Sequence, residues 1–268
     1  MGIAKQLQSI ETGFKIVASF PEWRHTAIVL GESDPEGCAA CSAKNNPQNS
    51  YRNGPLYASY TAEALSRTMA LATREHVNLL GSVTWAFEFE DQPPFEGFRE
   101  LATNGIDKPV LNAFRAFGLL SNERVQANSS AALSTEDVVA SGVRAQPDVN
   151  VIATRKDHEV ELLVWNFHDD DVPAAASPIE LTVSGLPENS KRVLIEQFQI
   201  DSNHSNAFTA WKNMGSPQSL FSSQRDELER AGQLQQVTSP AWSSVKVGTV
   251  SVRFALDRQA LRFIRITW

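Results

Sequence analysis

The stretch Thr26–Glu36, TAIVLGESDPE, decides the fold reading. Ala27, Ile28, Val29 and Leu30 form a short apolar run with two β-branched members. Such a run suits a strand buried on both faces of a parallel sheet. Gly31 ends it, Glu32 follows at once, and Ser33, Asp34, Pro35 and Gly37 force a turn. A carboxylate at the C-terminal end of a buried parallel strand occupies the catalytic rim of a (β/α) barrel. Ionised and desolvated, it would be costly without partners. The plainer reading of the same residue is a loop-edge glutamate facing water.

The segments that follow supply the rest of a βαβ unit. Residues 57–77, YASYTAEALSRTMALATREHV, place Ala58, Leu65, Met69 and Ala72 on one helical face and Glu63, Arg67, Arg74 and Glu75 elsewhere. Residues 79–87, LLGSVTWAF, are apolar and rich in strand formers. Strand, helix, strand is what a parallel crossover requires. Then comes EFEDQPPFEGF, with Glu88, Glu90 and Asp91 beside Trp85, Phe87, Phe89 and Phe95. Carboxylates accept hydrogen bonds from sugar hydroxyls, and an indole packs on the C–H face of a pyranose, so the mixture suits a carbohydrate pocket. It is equally what a surface acidic loop with an aromatic anchor contains. Pro109 opens a further helix, PVLNAFRAFGLL, with Val110, Phe114 and Phe117 on its apolar face. Upstream, Ile3, Leu7 and Ile10 mark a helix over residues 3–12, and Phe14 to Phe20 reads as a connector with strand character.

Past residue 124 the character changes. The stretch 121–142 is small and polar and reads as a linker. Six strand-like runs follow, at 149–156, 159–167, 179–186, 192–200, 247–256 and 261–268. Their alternation and intervening turns predict an antiparallel sandwich. Residues 222–236 read as a helix between the fourth and fifth runs. The expected division is therefore 1–124 as barrel and 125–268 as sandwich.

Composition narrows the function classes. A net charge of −7 without a Lys/Arg cluster argues against nucleic acid. No apolar run approaches the roughly 20 residues of a membrane span, and residues 1–14 lack a signal-peptide pattern. A cytoplasmic, soluble protein is the expectation. Cys38 and Cys41 form the lone C-x-x-C, in a polar loop. Zinc usually needs four ligands and no second pair exists, so loop-stiffening disulfide, plain thiols, packing near a pocket, and metal or redox chemistry all stay open. His168-Asp169-Asp170-Asp171 reads as a solvated turn, since it lacks cation-loop spacing. No phosphate loop, nucleophile elbow or H-E-x-x-H occurs. No metal and no cofactor is expected.

Three stretches together resemble the C-terminal portion of a glycoside hydrolase family 39 β-xylosidase. IVLGESDPEG (28–37) looks like the strand that ends in the nucleophilic glutamate. GSVTWAFEFEDQPPFEGF (81–98) looks like the eighth strand and its loop. NGIDKPVLNAFRAFGLL (104–120) looks like the last barrel helix, introduced by a G-I-x-K-P turn. The first departs from the common Thr-Glu-Tyr form, with Gly31 and Ser33 around the glutamate. The resemblance implies the end of a TIM (β/α)8 barrel followed by a β-sandwich. It implies Glu32 as nucleophile, Trp85 lining the sugar site, and Glu90 and Asp91 binding sugar hydroxyls. The implied substrate is a β-xyloside or short xylo-oligosaccharide, with α-L-iduronidase chemistry and a non-catalytic carbohydrate-binding or scaffold remnant as rivals.

A retaining enzyme of this kind needs a second carboxyl about 5–5.5 Å away as acid/base. In the family that group is a glutamate following an asparagine on an earlier strand. The lone Asn-Glu pair here, Asn122-Glu123, follows the last barrel helix. The chain is therefore expected to be incomplete. Two strands cannot close a barrel, so a homo-oligomer or a separate source of the missing barrel portion is the expected partner.

Overall fold

A computed structural model describes residues 2–268. The N-terminal part holds α1 (Ile3–Ala18), β1 (Ala27–Leu30), α2 (Pro55–Arg74), β2 (Asn78–Ser82), the short strands β3 (Ala102–Thr103) and β4 (Ile106–Asp107), and α3 (Pro109–Gly118). A 3₁₀ turn, Pro47–Asn53, precedes α2. The stripe Ile3, Leu7 and Phe14 is buried, which carries α1 through the region expected to be a connector. The i, i+4, i+11 spacing keeps all three on one face.

β1 and β2 pair in parallel, Ala27 with Asn78 and Leu30 with Ser82, and α2 is the crossover between them. The strands are not buried on both faces as expected. Ile28, Leu30 and Leu79 pack on the core, while Val29 is 53% and Leu80 71% exposed. The reason is topological: each strand has one strand neighbour, and helices cover one face. β2 also ends at Ser82, short of the expected Phe87. Beyond it the chain stays extended, joined by Ser33 N–H to Val83 O and by the bridge between Ala86 and Glu100.

β5 (Glu123–Val125), β6 (Asp148–Lys156), β7 (Glu159–Phe167), β9 (Arg192–Ile200), β10 (Gln235–Ser244) and β12 (Ala260–Thr267) build an antiparallel sheet in the order β10-β9-β12-β7-β6-β5. β8 (Ser177–Val183) and β11 (Val250–Leu256) form a two-stranded sheet stacked on it. The division expected after residue 124 falls inside β5, which already pairs with β6.

β7 shows why both layers hold together. Leu163, Trp165 and Phe167 point into the core shared with α1, α2 and α3, while Val160 and Leu162 point into the core under β8 and β11. Period-two alternation sends successive side chains to opposite faces, and both faces are covered. Hence the strand is apolar without a polar side.

The stretch expected as a linker contains α4 (Thr135–Ser141), capped by Ser134 accepting from Asp137 N–H at 3.0 Å. The region before β10 holds α5 (Ala207–Asn213) and α6 (Ser222–Gly232). β10 itself lay in no strand-like run. Its Pro240 cannot donate to a ladder, but the strand is at the sheet edge and its register shifts between Thr238 and Ala241. Asp169, expected on a solvated turn, is buried and accepts Ile3 N–H at 3.1 Å and Val143 N–H at 2.9 Å. An anion at the first turn of α1 is favoured by the exposed N–H groups there.

Candidate active site

The C-terminal ends of β1 and β2 converge on one cluster of charge. Gly31 and Glu32 leave β1, and the side chain of Glu32 is 40% exposed. Asp34, two residues on, is 2% exposed at its side chain. Its Oδ1 accepts from the Tyr57 hydroxyl of α2 at 2.6 Å and from the Thr84 hydroxyl beyond β2 at 2.6 Å. Burial, and then the Asp34 charge, push the Tyr57 phenol far above its ordinary range, so it acts as a donor. The two carboxylates thus differ in kind. Asp34 is sequestered by hydroxyls, and Glu32 remains accessible.

Arg99 ties the two together. It sits in the segment that follows the acidic aromatic loop, with a side chain 4% exposed. Its Nη2 donates to Glu32 Oε1, its Nη1 reaches the Glu36 carbonyl, and Asp34 Oδ2 lies 3.7 Å away. Its own backbone N–H donates to Ala39 O at 3.0 Å. Next to it, Glu100 accepts from Phe89 N–H at 2.9 Å and pairs with the fully buried Lys108 at 3.4 Å. Burial lowers the Lys108 ammonium to about 8, partly opposed by the Glu100 charge.

Residues 37–41 form the lid of this cluster. Cys38 and Cys41 are joined by a disulfide with Cα atoms 5.4 Å apart. Arg52 donates to the carbonyls of Cys38 at 3.1 Å and Gly37 at 3.2 Å, and its guanidinium lies 3.7 Å from Glu36. Of the readings left open for the two cysteines, the structure realises the cross-linked loop.

Glu32 also lines a groove of about 440 Å³ with Lys5, Gln6, Ser9 and Asp34. A larger cavity of about 950 Å³ lies in the sandwich, among Val125, Val151, Leu181 and Trp268, and contains none of the expected site residues. The carboxylates and the cation of the expected site converge at the strand ends and not in the larger cavity.

Trp85 directly follows Thr84 and is 53% exposed, which leaves its indole open. Phe87 is 59% exposed. Glu90 and Asp91 lie on an exposed turn, Asp91 in the left-handed region at φ 55°. Among the described residues no hydrogen bond or ion pair joins either side chain to Glu32 or Arg99. The structure therefore places Glu32 just past β1 and Trp85 just past the neighbouring β2, and leaves Glu90 and Asp91 on the loop beyond. Asn122-Glu123 is far from this cluster in role: Glu123 pairs with Arg155 at 2.6 Å in the sandwich sheet. Among the described residues no group of three or more His, Cys, Asp or Glu side chains could hold a metal ion. No helix among them is long and apolar enough to cross a membrane.

Asp34, Tyr57, Thr84 and Arg99 were not singled out from sequence. A charged pair, Arg99-Glu100, closing an aromatic run was the available signal.

A parallel βαβ unit with carboxylates at its strand ends, backed by an antiparallel sandwich, is the end of a TIM barrel with an accessory domain. That architecture is widespread among enzymes that cleave glycosidic bonds. The sequence matches the profile of glycosyl hydrolases family 39 over residues 3–247, and the chain belongs to that family. It is 30% identical over 142 residues to a β-xylosidase of Caldicellulosiruptor saccharolyticus, covering 53% of this chain and 26% of that one. Its fold matches a monomeric β-xylosidase of Caulobacter crescentus CB15 at TM-score 0.70 and 17% identity, over 96% of this chain and 48% of that chain. It also matches a bacterial orthologue of human α-L-iduronidase at TM-score 0.74 and 17% identity, over 97% of this chain and 46% of that one. The chain thus spans about half the length of these solved structures and about a quarter of the curated relative.

Proposed function

We propose that this chain is the nucleophile-bearing portion of a retaining glycoside hydrolase that cleaves β-xylosides. One observation carries the reading: Glu32 is an accessible carboxylate at the C-terminal end of a parallel strand, paired with a buried guanidinium. Glu32 attacks the anomeric carbon, the bond to the leaving oxygen breaks, and a covalent glycosyl ester results. Water then hydrolyses that ester. The exposed indole of Trp85 offers a platform for the sugar C–H face, and Glu90 and Asp91 accept hydrogen bonds from its hydroxyls.

The acid/base carboxyl comes from the remaining strands of the barrel. Support lies in the apolar residues left open on β1, β2 and the segment after them: Val29, Leu80, Val83, Trp85 and Phe87 are each 49% exposed or more. Their alternation with covered residues is the pattern of strands that have a second face to bury. Xylosidase specificity rests on the 30% identity to the Caldicellulosiruptor protein over 142 residues. A cytoplasmic site, expected from the sequence, would hold Cys38 and Cys41 as thiols, because disulfides persist in oxidising surroundings.

The test is hydrolysis of p-nitrophenyl β-D-xyloside by the purified chain, with Glu32→Ala in parallel. Turnover that falls about 10³-fold or more in the variant supports the reading. Folded protein that binds xylo-oligosaccharide yet turns nothing over, unchanged by Glu32→Gln, makes it a binding remnant instead.

A further inference from the structure

The surroundings of Glu32 hold an arrangement that no short stretch of the sequence points to. Arg99 is almost wholly buried, yet its Nη2 reaches out to a carboxylate that is 40% exposed. An internal counter-charge is already at hand in Asp34, 3.7 Å from Nη1. Asp34 in turn is fixed by hydroxyls from two separate elements, Tyr57 of α2 and Thr84 after β2, each at 2.6 Å. A fourth anchor is the disulfide-closed loop, through Ala39 O on the Arg99 backbone. Asp34 Oδ2 and Arg99 Nε are buried without a hydrogen bond, so the pair is held by charge and by the partners of Asp34 Oδ1 and Arg99 Nη1 and Nη2.

We infer that Arg99 is the positioning residue for Glu32, with Asp34 as its brace; the inference rests on Glu32 being the nucleophile of the proposed reaction. Arg99 engages Oε1 alone. Oε2 makes no hydrogen bond to the described residues, so it is the oxygen presented for attack. The guanidinium holds the carboxylate in one rotamer through a charge-assisted hydrogen bond. Asp34 keeps the guanidinium from following Glu32 outward. Tyr57 and Thr84 transmit the positions of α2 and β2 to Asp34. Ångström-scale misplacement of a reacting group costs on the order of 10²-fold in rate, which is the scale such a brace protects.

Two measurements on the wild-type chain, Arg99→Met and Arg99→Lys test this, with thermal melts confirming that each variant folds. The first does not depend on turnover. Carboxyl groups are modified with a water-soluble carbodiimide and glycine ethyl ester, and mass spectrometry reads the rate at Glu32 against exposed Glu188. Arg99→Met is expected to raise the Glu32 rate about tenfold and leave Glu188 unchanged, with Arg99→Lys near wild type. An unchanged Glu32 rate in Arg99→Met overturns the inference. The second uses 2,4-dinitrophenyl 2-deoxy-2-fluoro-β-D-xyloside, whose leaving group departs as the phenolate with its electron pair and needs no acid. The Glu32 Oε2–C1 bond forms as C1–O breaks. Labelling at Glu32 is expected to slow at least tenfold in Arg99→Met and to recover in Arg99→Lys. Wild-type protein that takes no label defeats the xyloside reading, while the carbodiimide rates still decide the role of Arg99.

Discussion

The indole N–H of Trp165 in β7 donates to Glu63 Oε2 in α2 at 2.6 Å, across 102 residues of chain. Glu63 Oε1 accepts from Arg67 Nε at 2.7 Å, and Arg67 Nη2 donates to Asp148 Oδ2 at 2.6 Å at the start of β6. Asp148 Oδ1 accepts from Leu133 N–H at 2.6 Å. Trp165, Glu63, Arg67 and Asp148 are all buried. The network therefore joins the barrel helix to the sandwich sheet through hydrogen bonds that exclude water.

Removing one donor from it leaves a buried polar group without its partner. Trp165→Phe keeps most of the apolar volume and deletes the N–H, and is expected to cost about 2–3 kcal/mol. Arg67→Met strands two carboxylates and is expected to cost about 3–5 kcal/mol. Urea unfolding monitored by circular dichroism measures both. Equal midpoints for wild type and Trp165→Phe would show that the bond is not part of the folding unit.

The same network makes stability depend on pH. Burial pushes the Glu63 carboxyl up to about 8, with the Asp148 charge adding to the rise and Arg67 opposing it. Unfolded, the group titrates near the ordinary glutamate value of 4.5. Between these values the folded state holds a proton that the unfolded state has released, so stability falls as pH rises from about 4.5 to about 8 and levels off above. Melting temperatures across pH 5–9 are expected to decline in the wild type, and the decline is expected to weaken in Glu63→Gln.

Gly142 fits where no other residue would. Its φ is +73°, and a Cβ there would collide with Asp169 Oδ2, the oxygen that also accepts from Val143 N–H. Asp169 cannot retreat without giving up the N-terminus of α1. Gly142→Ala is expected to destabilise by about 1–3 kcal/mol, read as a lowered melting temperature with loss of helical signal at the first stage.

The open apolar face predicts self-association. Leu80 is 71% exposed on a strand edge region beside Val29, and bare strand edges and apolar patches template contacts. Leu80→Lys is expected to shift the chain toward monomer at a given concentration in sedimentation velocity. Identical sedimentation of the two proteins would mean that this face is not what drives association.

Local pattern made several elements readable from the chain. Ala27–Leu30 followed by Gly31, the stripe of α2, Pro109 at the first turn of α3 and the alternation in β7 and β12 are each short-range signals that match the element formed. Other elements carry equally local signals. Asn104-Gly105, both at positive φ, turn β3 into β4, and Ser134 with Asp137 caps α4. β10 had almost no signal, because an edge strand needs little apolar pattern and tolerates Pro240.

The site divides the same way. Glu32 is legible because a carboxylate immediately after a strand has few places to be, and Trp85 because an aromatic at the end of the next strand shares that edge. Arg99 and Asp34 are not legible, since their roles arise from a 65-residue separation in sequence closing to 3.7 Å in space. Asp169 reads as one of three exposed aspartates and becomes a buried cap when α1 arrives 166 residues away.

Local pattern alone was enough for most helices and core strands, for the strand-end carboxylate and for the family, since these depend on neighbours within a few residues. Only the tertiary structure decided which charges are buried and paired, which face of β1 and β2 stays open, and which cation holds Glu32. Those depend on desolvation and on contacts between distant segments, and neither is a property of any short stretch of chain.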